Sequence, residues 1–203
     1  MGFTAVAGVG VERDVRLIFQ VFDCVVPDGE GSYLAAPIST GRRFYEALAK
    51  YGATSLEDLI RVIGEEEYLR QVRWPNVEDG EQMAARLRRQ GVRNLINTGP
   101  IFIREWSGHC YMDLCYALLE RKIRTVYFHP EWAFSSGAVK EFFFCFEHRI
   151  RLADTEGQAL TLTHTRLALE SVLRKISELK LPTERVEKQL QQLSELSLAV
   201  AGD

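Results

Sequence analysis

The sequence lacks the hallmarks of several large protein classes. Its four cysteines, Cys24, Cys110, Cys115 and Cys145, include no CxxC pair, and no apolar run is long enough to span a membrane. Residues 1–10 show neither the basic start nor the long apolar stretch of a secretory signal. We therefore expect a protein of the reducing cytoplasm that has no membrane partner.

An excess of basic residues is missing as well. The chain carries 25 Lys and Arg against 28 Asp and Glu, for a formal net charge of -3, whereas binding to a nucleic-acid polymer calls for a broad basic surface. The cluster of His109, Cys110 and Cys115 matches no closed zinc site. We therefore expect no nucleic-acid partner, no metal and no cofactor.

Apolar and β-branched runs alternate with segments of helical period along the chain. Such alternation predicts an α/β fold in which helices cover both faces of a parallel sheet. Ligands of these sheets bind at the carboxyl ends of the strands, so the loops at 37–43 and 129–137 are the candidate binding segments. The sequence predicts strands at 33–38, 92–98, 123–129 and 149–157, and helices at 11–22, 39–52, 55–91 in two pieces, and 110–121.

Residues that favour helix ends mark several of these helices. Ser39 or Thr40 is expected to cap the helix after the first strand, and Gly52 to end it. The sequence SLED at residues 55–58 fits a capping box. Asn76, which directly follows a proline, is expected to cap the second piece of the long helical segment.

The chain divides into three predicted units. Residues 1–31 form an amino-terminal helix and linker, and residues 32–160 form the α/β core with a helical insertion at 55–91. In residues 161–203, two amphipathic stretches flank the sequence KLPTE. This pattern predicts a carboxyl-terminal helical hairpin that packs on the sheet or on a second subunit.

The sequence HPEWAFSSGAVKEFFF places Glu141 directly before three consecutive phenylalanines. With Ser136 as the N-cap, the capping-box position falls on Val139, so helix capping does not explain this glutamate. Phe144 and Cys145 follow one helical turn later and indicate a partly buried face. We expect the helix dipole to keep Glu141 ionised, as a nucleophile or a stabiliser of positive charge must be.

The residues just before Glu141 favour binding of an anion. Ser135 and Ser136 supply hydroxyl groups, while Gly137 and Ala138 supply backbone N–H groups at a helix amino terminus. Glycine also lets a ligand approach the backbone closely. The sequence therefore predicts an anion site beside a carboxylate.

Three segments, in this order, carry a family resemblance: YLAAPISTGRR, YMDLCYALLER and TVYFHPEWAFSSGAVKE. The set resembles the nucleoside 2-deoxyribosyltransferase-like superfamily, which includes 2'-deoxynucleoside 5'-phosphate N-hydrolases. Trp132, Ser135, Gly137 and Glu141 match the superfamily pattern Trp-x-x-Ser-x-Gly-x-x-x-Glu at every specified place. The resemblance covers residues 32–157.

The resemblance implies a flavodoxin-like or Rossmann-like parallel sheet with flanking helices. It also implies a retaining attack on an N-glycosidic bond, with Glu141 as the nucleophile. Asp113 takes the place of the aspartate that assists proton transfer to the leaving base, and Tyr33 that of a tyrosine near the sugar. A carboxylate suits this reaction because breaking the bond builds positive charge on the sugar.

A substrate-binding set also follows from the resemblance. In the phosphate-preferring branch, the loop after the first strand and a serine before the glutamate hold the 5'-phosphate, and Arg42 or Arg43 can add a bidentate contact. Trp132 is in a position to stack on the base. The expected binding residues are Ser39, Thr40, Gly41, Arg42, Trp132, Ser135, Ser136 and Gly137.

The sequence departs from the superfamily pattern in ways that keep other functions open. Ser135 replaces the acidic residue of the transferase branch, and the third strand lacks an aspartate that many members carry just before it. We therefore expect hydrolysis of a nucleotide or nucleoside rather than transfer. The alternatives are a nucleotide-sensing module without catalysis, or an interaction protein whose tail drives oligomerisation. A homodimer is expected for an enzyme or a sensor.

Several candidate residues also fit a purely structural role. Asp113 fits the surface of a helix, and Trp106 and Trp132 fit core packing. His109 and His129 lie near the expected pocket, where they suit acid–base chemistry or simple packing. The segment STGRR on its own also fits a helix start with two solvated arginines.

Overall fold

The computed structural model describes residues 9–202 and the side chains of residues 13–199. Residues 1–8 of the predicted amino-terminal unit and Asp203 of the predicted hairpin unit lie outside the described residues. Within this described part, no helix combines the length and apolar character that crossing a membrane requires. The helices are α1 (Val9–Val25), α2 (Arg42–Tyr51), α3 (Leu56–Ile63), α4 (Glu65–Tyr68), a π-helical segment (Leu69–Arg73), α5 (Trp74–Arg89), α6 (Gly108–Lys122), a 3-10 turn (Trp132–Phe134), α7 (Ser136–Glu147), α8 (Leu162–Glu178) and α9 (Glu184–Gly202); the strands are β1 (Gly31–Ala35), β2 (Leu95–Ile96), β3 (Ile123–Phe128) and β4 (Arg151–Asp154).

The strands form one parallel, four-stranded sheet in the order β2-β1-β3-β4. β1 pairs with β2 through Tyr33 and Ile96, and with β3 through Leu34 and Tyr127. With helices between the strands, this arrangement confirms the expected α/β class with a flavodoxin-like or Rossmann-like sheet. The strand order reverses between β1 and β3, and ligands of such folds bind beyond the carboxyl ends of the strands at this point.

All four strands are shorter than the predicted segments, and in β1 and β2 particular residues show why. β1 ends at Ala35, because Pro37 has no N–H to offer to a strand ladder. β2 spans only Leu95 and Ile96. Asn94, directly before β2, has a positive φ of 50°, a left-handed conformation that extended strands do not adopt.

Side chains alternate across β1 and so contribute to two hydrophobic layers. Leu34 belongs to a small cluster in which Leu87 of α5 also packs. Tyr33 and Ala35 point to the main core, which includes Leu118 of α6 and Phe142 of α7. Helices therefore cover both faces of the sheet, as expected.

The segment between residues 55 and 91 is helical, but its pieces join differently from the expectation. The interpretation of Asn76 as an N-cap is wrong, because α4, the π-helical segment and α5 follow one another without a break. The backbone N–H of Trp74 donates to the carbonyl of Leu69, a five-residue spacing that widens the turn just before Pro75. Pro75 has no N–H to donate, and here it falls in the first turn of α5.

The other predicted helix ends have mixed outcomes. Ser55 caps α3, as predicted, by accepting a hydrogen bond from the backbone N–H of Asp58 at 3.1 Å. The reciprocal bond of a capping box is displaced by one residue, because the Asp58 carboxylate accepts from the N–H of Thr54 at 3.0 Å. Gly52 ends α2 in a left-handed conformation, which confirms that prediction. The prediction that Ser39 or Thr40 caps α2 is wrong. Gly41 occupies that position and makes no side-chain cap.

The predicted carboxyl-terminal hairpin is present as α8 and α9, and it packs on the core of its own chain. Leu169 of α8 and Leu193 of α9 are fully buried in the main hydrophobic cluster. Arg185 of α9 lies with its guanidinium 5.6 Å from the ring centroid of Tyr45 and donates to the carbonyl of Phe134 at 3.4 Å. The hairpin therefore supports the loop that leads into α7.

Candidate functional site

A cavity of about 350 Å³ opens beyond the carboxyl ends of the central strands. Its walls come from the loop after β1 (36–40), the residues after β2 (97–98), the first turns of α6 and α7, and Arg73. The volume falls in the usual range for small-molecule sites. Its position agrees with the switch in strand order between β1 and β3.

Glu141 lies in the wall of this cavity and is 5% exposed. The hydroxyl of Tyr33, in β1, donates to Oε1 of Glu141 at 2.7 Å. The same hydroxyl lies 3.1 Å from Oγ1 of Thr98 and 3.2 Å from Sγ of Cys115. A carboxyl from α7 and a hydroxyl from β1, far apart in sequence, thus meet through a short hydrogen bond.

Burial changes the proton affinity of Glu141. It raises the pKa of this carboxyl to about 7, although hydrogen bonds with Tyr33 and Cys115 act to lower it. The expectation that Glu141 stays ionised is therefore wrong near neutral pH, where protonated and ionised forms coexist. The reason is its place in the second turn of α7, beyond the first turn in which the helix dipole acts.

The groups next to Glu141 keep their own protons at neutral pH. Burial raises the pKa of Tyr33 and that of Cys115 well above their ordinary values. The pKa of Tyr116 rises to about 12, mainly through burial and then through the charge of Glu141. Glu141 is therefore the group of this cluster that changes charge near neutral pH.

In the predicted anion site at the start of α7, two side-chain hydroxyl groups already accept hydrogen bonds from backbone N–H groups. Ser135, rather than Ser136, is the N-cap, and its Oγ accepts from the N–H of Ala138 at 3.3 Å. Oγ1 of Thr40 accepts from the N–H of Ser136 at 3.3 Å. The N–H of Gly137 has no acceptor among the described residues, so it remains available to a ligand.

Two side chains of the helical insertion fix the position of the loop after β1 by hydrogen bonds. Nδ2 of Asn76, in α5, donates to the carbonyls of Ile38 at 3.0 Å and Thr40 at 2.8 Å. The hydroxyl of Tyr68 donates to the carbonyl of Ser39 at 2.8 Å. Gly41 follows with φ 129°, and a Cβ on it would lie 2.8 Å from Cβ of Pro37, so this turn requires glycine.

Arg73 is a cavity residue that the sequence analysis missed. It is 4% exposed, and its guanidinium lies 4.6 Å from the ring centroid of Phe102. Nη1 donates to Oγ of Ser39 at 3.1 Å, and Nη2 donates to the carbonyl of Ile101 at 3.0 Å. No signal in the sequence distinguishes it from the exposed arginines of the same helical segment.

Most of the residues expected from the sequence meet in this cavity, but four do not line it. Asp113 is exposed on α6, while Met112 and Cys115 on the same helix line the cavity. Arg42 pairs with Glu131 at 3.0 Å and is half-exposed. Gly41 and Trp132 are buried and do not line the cavity. The expected residues that line the cavity are Tyr33, Ser39, Thr40, Ser135, Ser136, Gly137 and Glu141.

Of the tryptophans and histidines considered from the sequence, one lines the cavity and three do not. Trp132 is buried and packs on Phe128 and Phe142, with ring centroids 4.9 and 5.4 Å apart. Trp106 is buried too. His129 lies outside the cavity wall, and burial lowers its pKa. His109 alone among these residues lines the cavity, at the exposed start of α6.

No family model, curated protein or solved structure matches this chain. Function is therefore inferred from the chemistry of the site itself. Among the residues with described side chains, no group of three or more His, Cys, Asp and Glu is placed to hold a metal ion. The side chains present suit acid–base or nucleophilic chemistry on a small molecule, centred on Glu141.

Proposed function

We propose that the protein hydrolyses the N-glycosidic bond of a nucleoside 5'-monophosphate or a nucleoside, with Glu141 as the nucleophile. One observation carries this proposal: Glu141 is buried in the wall of a ligand-sized cavity and is hydrogen-bonded by Tyr33 at 2.7 Å. A buried carboxyl is costly to ionise unless its charge is used. Positive charge that develops on a bound sugar would offset that cost.

In the proposed reaction, the C1'–N bond breaks and its electron pair leaves with the base. Ionised Glu141 attacks C1' and forms a glycosyl ester, which water then cleaves to release the sugar and restore the carboxylate. The hydrogen bond from Tyr33 fixes one oxygen of Glu141 and thereby orients the carboxylate.

The leaving base needs a proton, and Asp113 does not line the cavity. His109 lies in the cavity wall at the start of α6, and imidazole transfers protons readily near neutral pH. We therefore assign the proton-donor role to His109 in place of Asp113. From the sequence alone, His109 fits either a catalytic or a structural role.

The resemblance to the nucleoside 2-deoxyribosyltransferase-like superfamily supports the same reaction, since its motif residues Ser135, Gly137 and Glu141 share the cavity. Ser135, which stands in place of the transferase acid, favours water over a second base as the acceptor. A homodimer remains part of the proposal, and light scattering of the purified protein tests it.

The decisive experiment is chromatography of free base released from ribo- and deoxyribonucleoside 5'-monophosphates and their nucleosides. We expect release from at least one substrate by the wild type and none by Glu141→Gln. The matched control is Glu147→Gln, an exposed carboxyl on the same helix, which should retain wild-type activity. A Glu141→Gln protein that releases base at the wild-type rate would exclude the proposed nucleophile.

A nucleotide-sensing module is the second candidate, and the exposure of Asp113 favours it. A sensor requires the cavity and its polar groups but no proton donor for the leaving base. It would show ligand-induced stabilisation in thermal shift without any base release. In that case Glu141 would act as a ligand-binding residue.

A further inference from the structure

Arg73 carries a buried positive charge that no acidic side chain balances. It is 4% exposed, and among the described residues no carboxylate forms an ion pair with it. Burial lowers the pKa of Arg73, but a guanidinium keeps its proton in proteins. The rings of Trp74, Phe102 and Tyr111 lie with their centroids 4.6 to 6.0 Å from the guanidinium carbon and offset part of the cost of burying the charge. They do not replace an ionic partner, so the site favours binding of an anion.

The guanidinium also has hydrogen-bonding capacity to spare. Of its five N–H donors, one is used by Oγ of Ser39 and one by the carbonyl of Ile101. Nε is buried and has no partner. Because Arg73 lines the cavity, an anion bound there can approach the guanidinium.

The neighbouring groups in the cavity also suit an anion. Ser39, which touches Arg73, and Thr40 both line the cavity with the loop that follows β1. Thr40 in turn contacts the amino terminus of α7, a helix of 12 residues, where the N–H of Gly137 is unpaired among the described contacts. A cation, hydroxyl groups and a helix amino terminus together form the usual set for binding phosphate.

The arginines expected from the sequence do not supply this charge. Arg42 pairs with Glu131 at 3.0 Å, and Arg43 pairs with Asp79 at 2.6 Å. Neither lines the cavity. Two cationic side chains therefore line the cavity: Arg73 of the π-helical segment, which is buried, and Lys140 of α7, which is exposed. Burial makes Arg73 the stronger candidate for a fixed contact with an anion.

We propose that Arg73 is the specificity-determining residue of the cavity and binds the phosphate of a nucleoside 5'-monophosphate. The cavity then selects the nucleotide over the nucleoside. That the bound nucleotide is also a substrate rests on the proposed hydrolysis, whereas the phosphate binding does not. Arg73 contacts no reacting atom in this arrangement and sets only which molecules bind.

The test is isothermal titration calorimetry on the Glu141→Gln protein, so that turnover does not interfere. The probes are a nucleoside 5'-monophosphate, the matching nucleoside and inorganic phosphate. We expect the nucleotide to bind more tightly than the nucleoside, and inorganic phosphate to compete with it. Arg73→Gln should weaken nucleotide binding about 10- to 100-fold, the range for a lost charged hydrogen bond, and leave nucleoside binding unchanged.

Two further variants keep the test decisive. Arg70→Gln removes the same charge from the same helical segment at an exposed position and should bind the nucleotide normally. Arg73→Lys retains the charge without the planar set of donors and should show an intermediate affinity; it replaces Arg73→Gln if that variant does not fold. Equal affinity of the parent for nucleotide and nucleoside, or normal nucleotide binding by the Arg73 variants, would overturn the proposal.

The outcomes separate this proposal from the proposed reaction. Phosphate-dependent binding that is lost in the Arg73 variants, together with no base release by the wild type, supports the phosphate site and rejects hydrolysis. Base release at equal rates from nucleotide and nucleoside supports hydrolysis and rejects the role of Arg73.

Discussion

At Glu141, burial and hydrogen bonding act in opposite directions on one carboxyl group. Burial raises its pKa, and the hydrogen bonds with Tyr33 and Cys115 lower it, with a resulting value of about 7. A small change in either effect therefore shifts the charge of the site within the range of pH at which cells operate. This property makes stability, and the proposed hydrolysis, sensitive to pH.

Replacing Glu141 with glutamine is expected to stabilise the protein at about pH 8. The pKa of the carboxyl is about 7 in the folded protein against an ordinary 4.5, so its proton stabilises the folded state fully below pH 4.5, and this stabilisation is lost as pH rises through 7. Glutamine does not ionise and keeps an oxygen that accepts from Tyr33. At about 1.4 kcal/mol per pH unit, the gain at pH 8 is about 3 kcal/mol.

Urea unfolding of both proteins at about pH 5 and pH 8 measures this effect. The Glu147→Gln control, with an exposed carboxyl changed on the same helix, should follow the wild type at both pH values. A wild-type protein that is no less stable at pH 8 than at pH 5, relative to Glu141→Gln, would contradict the raised pKa.

Tyr33→Phe is expected to shift the pH dependence of base release. In the proposed reaction the ionised form of Glu141 attacks the sugar, so the rising, acid limb of the kcat/KM profile should have its midpoint near pH 7 in the wild type. Tyr33 donates at 2.7 Å to this carboxylate, and without that hydrogen bond the midpoint should rise by about one pH unit. Profiles of kcat/KM against pH provide the measurement.

Tyr116→Phe is the matched control for Tyr33→Phe. Tyr116 stacks on Phe144 with ring centroids 4.6 Å apart, and none of the described hydrogen bonds joins its hydroxyl to Glu141. Its profile should keep the wild-type midpoint. An unchanged midpoint in Tyr33→Phe would mean that Tyr33 does not stabilise the ionised carboxylate.

Among the helices, α5 controls the loop after β1 through one side chain. Asn76→Ala removes the donor to the carbonyls of Ile38 and Thr40 and leaves both without that partner. We expect the free energy of unfolding to fall by about 1 to 3 kcal/mol. KM should also rise, because the loop that carries Ser39 and Thr40 loses its fixed position.

Urea unfolding and steady-state kinetics measure these two effects of Asn76→Ala. Gln82→Ala serves as the control, since Gln82 is an exposed amide on the same helix and should change neither quantity. A variant with normal KM would show that the loop holds its position without α5.

The same helices show why part of the site escapes sequence analysis. A proline followed by asparagine is typical of a helix start, yet Asn76 lies inside a helix because a π-turn before Pro75 removes the need for a break. The periodicity of 3.6 residues cannot indicate such a turn. Arg73, at the end of that turn, therefore looks like any surface arginine, whereas Glu141 stands out because its phenylalanine neighbours are visible in the sequence.

For the whole molecule, the carboxyl-terminal hairpin is part of the same core as the sheet. Leu169→Ala should therefore lower the free energy of unfolding by about 2 to 5 kcal/mol, as truncation of a fully buried leucine does. The protein should still unfold in one transition. Denaturant unfolding followed by fluorescence and circular dichroism tests both points.

Leu167→Ala is a matched control two residues away on α8. Leu167 is 58% exposed, against 0% for Leu169, so its replacement should change stability by less than about 0.5 kcal/mol. Two separate transitions in the wild type would show instead that the hairpin folds as an independent unit.

For the whole molecule, the sequence predicted the helices and strands better than it predicted the contacts between them. Apolar runs predicted all four strands of the sheet, and amphipathic stripes predicted the hairpin, because both patterns repeat along the chain. The surface on which the hairpin packs was left open between the sheet and a second subunit. That choice depends on contacts such as Arg185 with Phe134, which join distant segments and leave no local pattern.

The π-helical segment changes the direction in which the continuous helix from Glu65 to Arg89 points its apolar side chains. Each residue of an α-helix turns the chain by about 100°, so one extra residue per turn rotates the apolar stripe of everything that follows. Tyr68, just before the segment, and Val72, within it, pack in the main core, whereas Ala84 and Leu87, after it, pack in the cluster on the opposite side of the sheet. Deleting a single residue from Leu69–Arg73 would bring the two halves back into phase and leave one of these surfaces without its helix.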